Sequence, residues 1–285
     1  RQRGILANDG RLTGWLARHG RAMRCDHATS ATKVRDWLAR RFTAICRRTP
    51  QHVPEARPWQ GSGWRAVEAQ HKNATIALAM GNVIDQGILE NILEDAKPPL
   101  PKAAERLHFL LSTPFRYLPP PPSGSRFRGR FDPAVFYGAE DINTACAEAG
   151  YWRLRFWLDS EALVSQSASI QMTLFEFHGA TQLHLDLTLP PFRTQRKTWI
   201  HPSEYGKTQE LAARARHENI EVLRSESARN RPDGRCLAIL TPAVFRAVAA
   251  PFRDWEQTWG LFIQPPKLVV WQRELTGDAL SFEYA

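Results

Sequence analysis

Apolar positions change their period along this chain, and the changes mark out its elements. Near the start, Val34, Trp37, Leu38, Phe42 and Ile45 recur at helical spacing among Arg35, Arg40, Arg41, Arg47 and Arg48, which predicts an amphipathic basic helix. A shorter helix is expected around Leu12–Leu16. Pro50, Pro54 and Pro58, with Gly61 and Gly63, then predict a linker. Beyond it, Ile84, Ile88, Leu89, Ile92 and Leu93 predict a helix stopped by Pro98-Pro99, and Leu107, Leu110 and Leu111 predict a second that ends before Pro114. Four successive prolines from Pro119 to Pro122 impose a loop that leads through Gly124 to Arg126. A third helix runs from Thr144, Ala145, Glu148 and Ala149 through Trp152 to Phe156, with Glu148 near its start. Another covers Glu204–Arg216. Period-two stretches at 170–174, 183–187, 237–240, 261–264, 268–272 and 280–284 predict short strands. The pattern is that of an α+β domain over residues 57–285 behind a basic, helical N-terminal extension over residues 1–56.

Charge sharpens that division. Residues 1–56 hold 12 Lys/Arg against 4 Asp/Glu, a balance of +8, whereas residues 57–285 hold 26 against 25, a balance of +1. The basic character therefore belongs to the front segment, and no direct nucleic-acid binding is expected of the main domain. The front helix suits an acidic partner or nucleic acid; the simpler reading is a solvated helix packed on the main domain. Cys25, Cys46, Cys146 and Cys236 form no CxxC pair, which argues against a zinc site or disulfide framework and for a reducing compartment. No apolar run approaches the roughly 18 residues of a membrane span, and the first residues lack a signal-peptide core, so a cytoplasmic protein is expected. There is no GxGxxG after a strand and no GxxxxGK[ST] loop, which counts against a dinucleotide-binding dehydrogenase or a P-loop NTPase. His184 and Asp186 share a face of a predicted strand, but without a third ligand they read as polar residues facing solvent, and no metal is expected.

The chemistry concentrates in one segment, SRFRGRFDPAVFYGAEDINTACAEAGYWR, where Arg126, Tyr137 and Glu148 stand at equal spacing. A guanidinium grips a pyrophosphate, a phenol stacks on a flat base, and a carboxylate steadies a sugar cation. With its neighbours TPFRY, HPSEYGKTQELAARAR and SESARNRPDG, in that order, the segment resembles the RES-domain family from about Trp64 to the end of the chain. The resemblance implies an ADP-ribosyltransferase-like fold and a toxin of a bacterial toxin-antitoxin pair that degrades NAD. NAD would be substrate rather than prosthetic group, with inorganic phosphate as co-substrate or water in its place, and nicotinamide would be released. It also implies a cognate Xre-type helix-turn-helix antitoxin; a homodimer is compatible with it.

On this resemblance Glu148 stabilises the ribosyl cation, Arg126 holds the pyrophosphate or orders the ribose, and Tyr137 lines the nicotinamide pocket as the third catalytic group. Arg116 becomes a second anion clamp, Tyr117 a further pocket wall, and Ser227 a contact for the carboxamide or the acceptor rather than a covalent nucleophile. Arg128 and Arg130 read as structural or partner-facing. Without the resemblance, Glu148 would pass for a surface glutamate in a salt bridge and Tyr117 for a core aromatic. The chain departs from relatives that place a histidine near the C-terminus: its last histidine is His217, which leaves Gln264, Gln272 or Arg273 as substitutes. Two rivals stand beside NAD degradation. One is an ADP-ribosyltransferase that modifies a protein, and the other is a non-catalytic module that binds nucleic acid through the basic front segment.

Overall fold

The computed structural model describes residues 55–69, 75, 78–117, 124–230 and 232–284. The basic helix predicted near the start and the proline tract lie outside these. The described residues belong to a compact unit spanning His52–Ala285. In chain order its main elements are β1 (Arg57–Glu68), α1 (Val83–Asp95), α2 (Phe109–Ser112), β2 (Phe136–Ala139), α3 (Ile142–Leu158), β3 (Ala168–Asp186) and α4 (Arg196–Trp199). They continue with α5 (Gly206–His217), β4 (Val222–Glu226), β5 (Arg235–Ile239), α6 (Ala243–Arg246), β6 (Phe252–Gln264), β7 (Leu268–Arg273) and β8 (Ala279–Glu283).

A single strand, β3, organises the sheet. One of its edges pairs antiparallel with β1, from Arg57 opposite His184 to Glu68 opposite Met172. Its other edge is shared: the first half pairs with β6, and the last residues, His184–Asp186, run parallel to β4. Because β1 also meets β2 at Trp64 and Ala139, and β2, β5 and β4 follow in turn, β1-β2-β5-β4-β3 closes into a ring. The strands β6-β7-β8 extend from β3 as an open wing. Residues 172–177 are buried almost without a break, since core covers both faces of β3 there.

The predicted linker is overturned over residues 58–63, which are strand. The two glycines that suggested a flexible connection are instead sites of close approach. A Cβ on Gly63 would lie 2.5 Å from the Phe177 ring, and one on Gly138 of β2 would meet the same ring at 2.5 Å. Phe177 thus fills the space that two missing side chains leave, and it meets Phe136 edge-on at 4.9 Å between centroids. Pro58 sits at the second residue of β1, where a missing donor costs least.

Other expectations hold in position but differ in burial. Helix α1 forms where its leucines and isoleucines predict, capped by Asn82, yet none of its residues is buried; Ile84 is 76% exposed. The second predicted helix shrinks to the short α2, followed by a 3-10 turn over Thr113–Phe115. The two strands predicted at 170–174 and 183–187 are parts of the one strand β3. His184, expected to face solvent, is 7% exposed with neither ring nitrogen hydrogen-bonded, and Asp186 pairs with Arg224 at 2.8 Å. Among the described residues no group of three metal-ligating side chains is found, and no helix is long and apolar enough to cross a membrane.

Candidate active site

Helix α3 carries the central residue. Asp141 opens it as N-cap, accepting from the Thr144 amide at 2.7 Å. The helix then presents two faces. Cys146 and Leu154 pack into the core between α3 and the β6-β7-β8 wing, and Gly150 lets the helix approach so closely that a Cβ there would lie 2.9 Å from the Tyr284 hydroxyl. Ala145, Glu148, Ala149, Trp152 and Phe156, at helical spacing on the opposite face, line a cavity of about 460 Å³.

Glu148 is held by one oxygen. Its Oε1 accepts from Ser227 Oγ at 2.6 Å and from the Ala228 amide at 3.1 Å, and the Cys236 thiol lies 3.7 Å away. Its Oε2 has no partner among the described residues. Ser227 is fully buried and does not line the cavity; its hydroxyl also accepts from the amides of Arg229 and Asn230 at 3.0 and 2.9 Å. Asn230 reaches back to Thr144 Oγ1 at 2.9 Å, which in turn donates to the N-cap Asp141. A closed polar chain therefore ties the loop after β4 to the start of α3 and orients the carboxylate. Burial, reinforced by the Glu148 charge, pushes the Cys236 thiol well up, so it is a neutral donor.

Arg126 and Tyr137 line the same cavity. Arg126 donates through Nη1 to the carbonyls of Trp199 and His201, at 2.8 and 2.9 Å, and lies 4.9 Å over the Tyr205 ring. Two of its five donors are thereby used to fix it. Tyr137 turns its hydroxyl back into the loop before β2, where it meets Ser125 Oγ at 2.8 Å and accepts from the Phe127 amide at 3.0 Å. Its ring, not its hydroxyl, is what it offers the cavity, and burial raises the phenol's pKa.

Arg116 and Tyr117 go elsewhere. Arg116 pairs with Glu94 of α1 and the Pro98 carbonyl, and it lines neither this cavity nor its neighbour. Tyr117 lines an adjoining groove rather than the cavity around Glu148. The extra arginines divide: Arg128 is 8% exposed and donates to the carbonyls of Tyr117 and Asp132, whereas Arg130 is exposed above Phe131.

Arg65, and not Arg116, stands beside Tyr137. It lines the cavity from β1, donates to the Tyr137 carbonyl, and lies 4.8 Å over the Phe136 ring. Its Nε is buried without a partner, and desolvation lowers the pKa to about 10 even though the Tyr137 phenol pulls the other way. Nothing in the predicted linker before it marks Arg65; the available signal is its apolar flank in GWRAV, which fits a strand as well as a loop. Near the C-terminus, Gln272 and Arg273 line a separate groove. The terminal segment instead brings Tyr284, which donates to the Ala147 carbonyl at 2.6 Å and braces α3 beside Glu148.

The RES domain family matches residues 100–260, more than half of the chain, and the chain belongs to that family. Among solved structures, the M. tuberculosis MbcT-MbcA toxin-antitoxin complex is similar with a TM-score of 0.40 and 12% identity, over 80% of this chain and 92% of that one. No curated protein matches the sequence.

Proposed function

We propose that this RES-domain protein, an ADP-ribosyltransferase-like enzyme, cleaves the bond between nicotinamide and ribose in NAD, and that it acts as the toxin of a toxin-antitoxin pair. The observation that carries this reading is Glu148. It is a carboxylate fixed through one oxygen by Ser227 and the Ala228 amide, with the other oxygen unpaired, on the wall of a cavity that is also lined by a tyrosine ring and three arginines, of which Arg153 is paired with Glu68 and Arg65 and Arg126 are not in salt bridges among the described residues. Nicotinamide leaves as a neutral molecule from an already cationic group, so the barrier is charge development on the ribose and not proton transfer. A carboxylate about 4 Å from that charge is worth roughly 4 kcal/mol at an effective dielectric near 20. That is about a thousandfold in rate.

The remaining groups have parts that follow from their geometry. Oε2 of Glu148 faces the ribose, while Ser227, out of contact with ligand, keeps Oε1 from rotating away. Arg65 and the free donors of Arg126 hold the pyrophosphate. Arg65 suits this role because it lines the cavity and its one hydrogen bond, from Nη1 to the Tyr137 carbonyl, leaves guanidinium donors for an anion. The Tyr137 ring flanks the nicotinamide. Inorganic phosphate or water then captures the ribosyl cation, giving ADP-ribose 1″-phosphate or ADP-ribose. An Xre-type antitoxin restrains the enzyme in its host by covering the cavity mouth, where Trp152 and Phe156 are 51% and 61% exposed.

Incubating the purified protein with NAD, with and without phosphate, and identifying products by mass tests the reading. Nicotinamide release that accelerates with phosphate is expected. Intact NAD under both conditions would refute it, and an ADP-ribosylated protein product would move the chain to the transferase class.

A further inference from the structure

The cavity around Glu148 is one half of a two-lobed site. Beside it lies a groove of about 500 Å³, and the two share Arg65, Val67, Ser125, Tyr137 and Trp152 as a common wall. The far side of the groove comes from the stretch between β1 and β2. It includes Phe109 and Leu110 of α2, Pro114, and Tyr117, whose carbonyl is clamped by Arg128 at 2.7 Å. Three aromatic side chains of this groove stand open to solvent: Phe109 at 53%, Trp152 at 51% and Tyr117 at 40%. Large apolar rings left exposed around a concavity mark a binding surface more often than chance exposure does.

Resting on the NAD reading of Glu148, we infer that this groove holds the adenine end of the dinucleotide, stacked among Phe109, Tyr117 and Trp152, and sets the preference for NAD over mononucleotides. The shape and charge of the site carry the inference. A dinucleotide is two flat bases joined through a doubly negative pyrophosphate, and its complement is two apolar lobes with a cation at the waist. Arg65 is the one charged side chain, among the described residues, that lines both lobes. With the ribose at Glu148 and the pyrophosphate on Arg65, the second nucleoside is directed into the groove. Its lining is mainly apolar and aromatic, which favours a purine over a second anion. The same placement gives the turn around Arg116 a use: its salt bridge to Glu94 anchors the segment that presents Phe109 and Tyr117.

The test compares nicotinamide release from NAD and from nicotinamide mononucleotide, which lacks the adenylate, in the full chain and in Phe109→Ala and Tyr117→Ala. Wild type is expected to prefer NAD in kcat/KM, and each variant to lose about tenfold of that preference, the scale of one base–aromatic stack. Phe109→Trp should keep the preference. An NAD-to-mononucleotide ratio unchanged in both alanine variants overturns the inference while leaving the NAD reading intact. If wild type releases nicotinamide from neither substrate, the NAD reading fails. Calorimetry with AMP then decides the groove: binding weakened by Phe109→Ala supports it, and equal or absent binding refutes it.

Discussion

Glu148 and Ser227 form a pair in which one residue carries charge and the other fixes it, and the two should respond differently to substitution. In Glu148→Gln the amide oxygen can still accept from Ser227 and the Ala228 amide, so the fold is kept and the charge is lost. NAD turnover should fall about a thousandfold, with a much smaller change in NAD affinity. Equal turnover in the two proteins would rule out the assigned role. Ser227→Ala behaves otherwise, because its hydroxyl also satisfies the buried amides of Arg229 and Asn230. A buried polar group left unpaired costs about 1–3 kcal/mol. That variant should therefore lose stability and turnover together, visible as a lower urea midpoint and a reduced kcat; a fall in activity with unchanged stability would contradict the geometry.

At the scale of elements, the site depends on how closely β1, β2 and α3 approach one another. Gly63 and Gly138 admit the Phe177 ring between the strands that carry Arg65 and Tyr137. Gly138→Ala would place a methyl 2.5 Å from that ring, and relief requires moving β2 or turning a fully buried phenylalanine. Overpacking of this kind costs about 1–3 kcal/mol. A fall in melting temperature of about 5 °C is expected by calorimetry. A variant as stable as wild type would show that the sheet yields there at no cost. Helix α3 is readable in outline from the helical spacing of Ala145, Ala149, Trp152 and Phe156, and Glu148 falls on it as expected. Strand β1 was not, because its glycines serve packing between strands and look in sequence like a hinge.

At the scale of the molecule, the closed ring of strands buries a histidine that local alternation had placed in water. Burial lowers the pKa of His184, against the pull of Asp186, because its neutral form is favoured where no partner receives a proton's charge. Above the ordinary value near 6.5 both states are neutral there, and stability is unaffected. As pH falls through that value the unfolded chain takes up a proton that the folded chain refuses, so stability declines. His184→Phe, which removes the titration without losing a hydrogen bond, should make the urea midpoint less sensitive between pH 7.5 and 5.5. An identical pH slope in both proteins would assign the loss to other groups.

The chain's own pattern was enough to determine that it is an α+β domain, that Glu148 lies on a helix, and that its family is the RES family. Those features are local: a helical or alternating period, and a motif read within some thirty residues. Tertiary structure alone decided that Arg65 and not Arg116 stands beside Tyr137, that Ser227 braces the carboxylate from behind, and that the stretch between β1 and β2 builds a second lobe. Each of these joins residues tens of positions apart through strand pairing and burial. Residue spacing along the chain does not encode such neighbours; they follow from which edges of β1 and β3 are left to pair and which side chains the closed ring leaves room for.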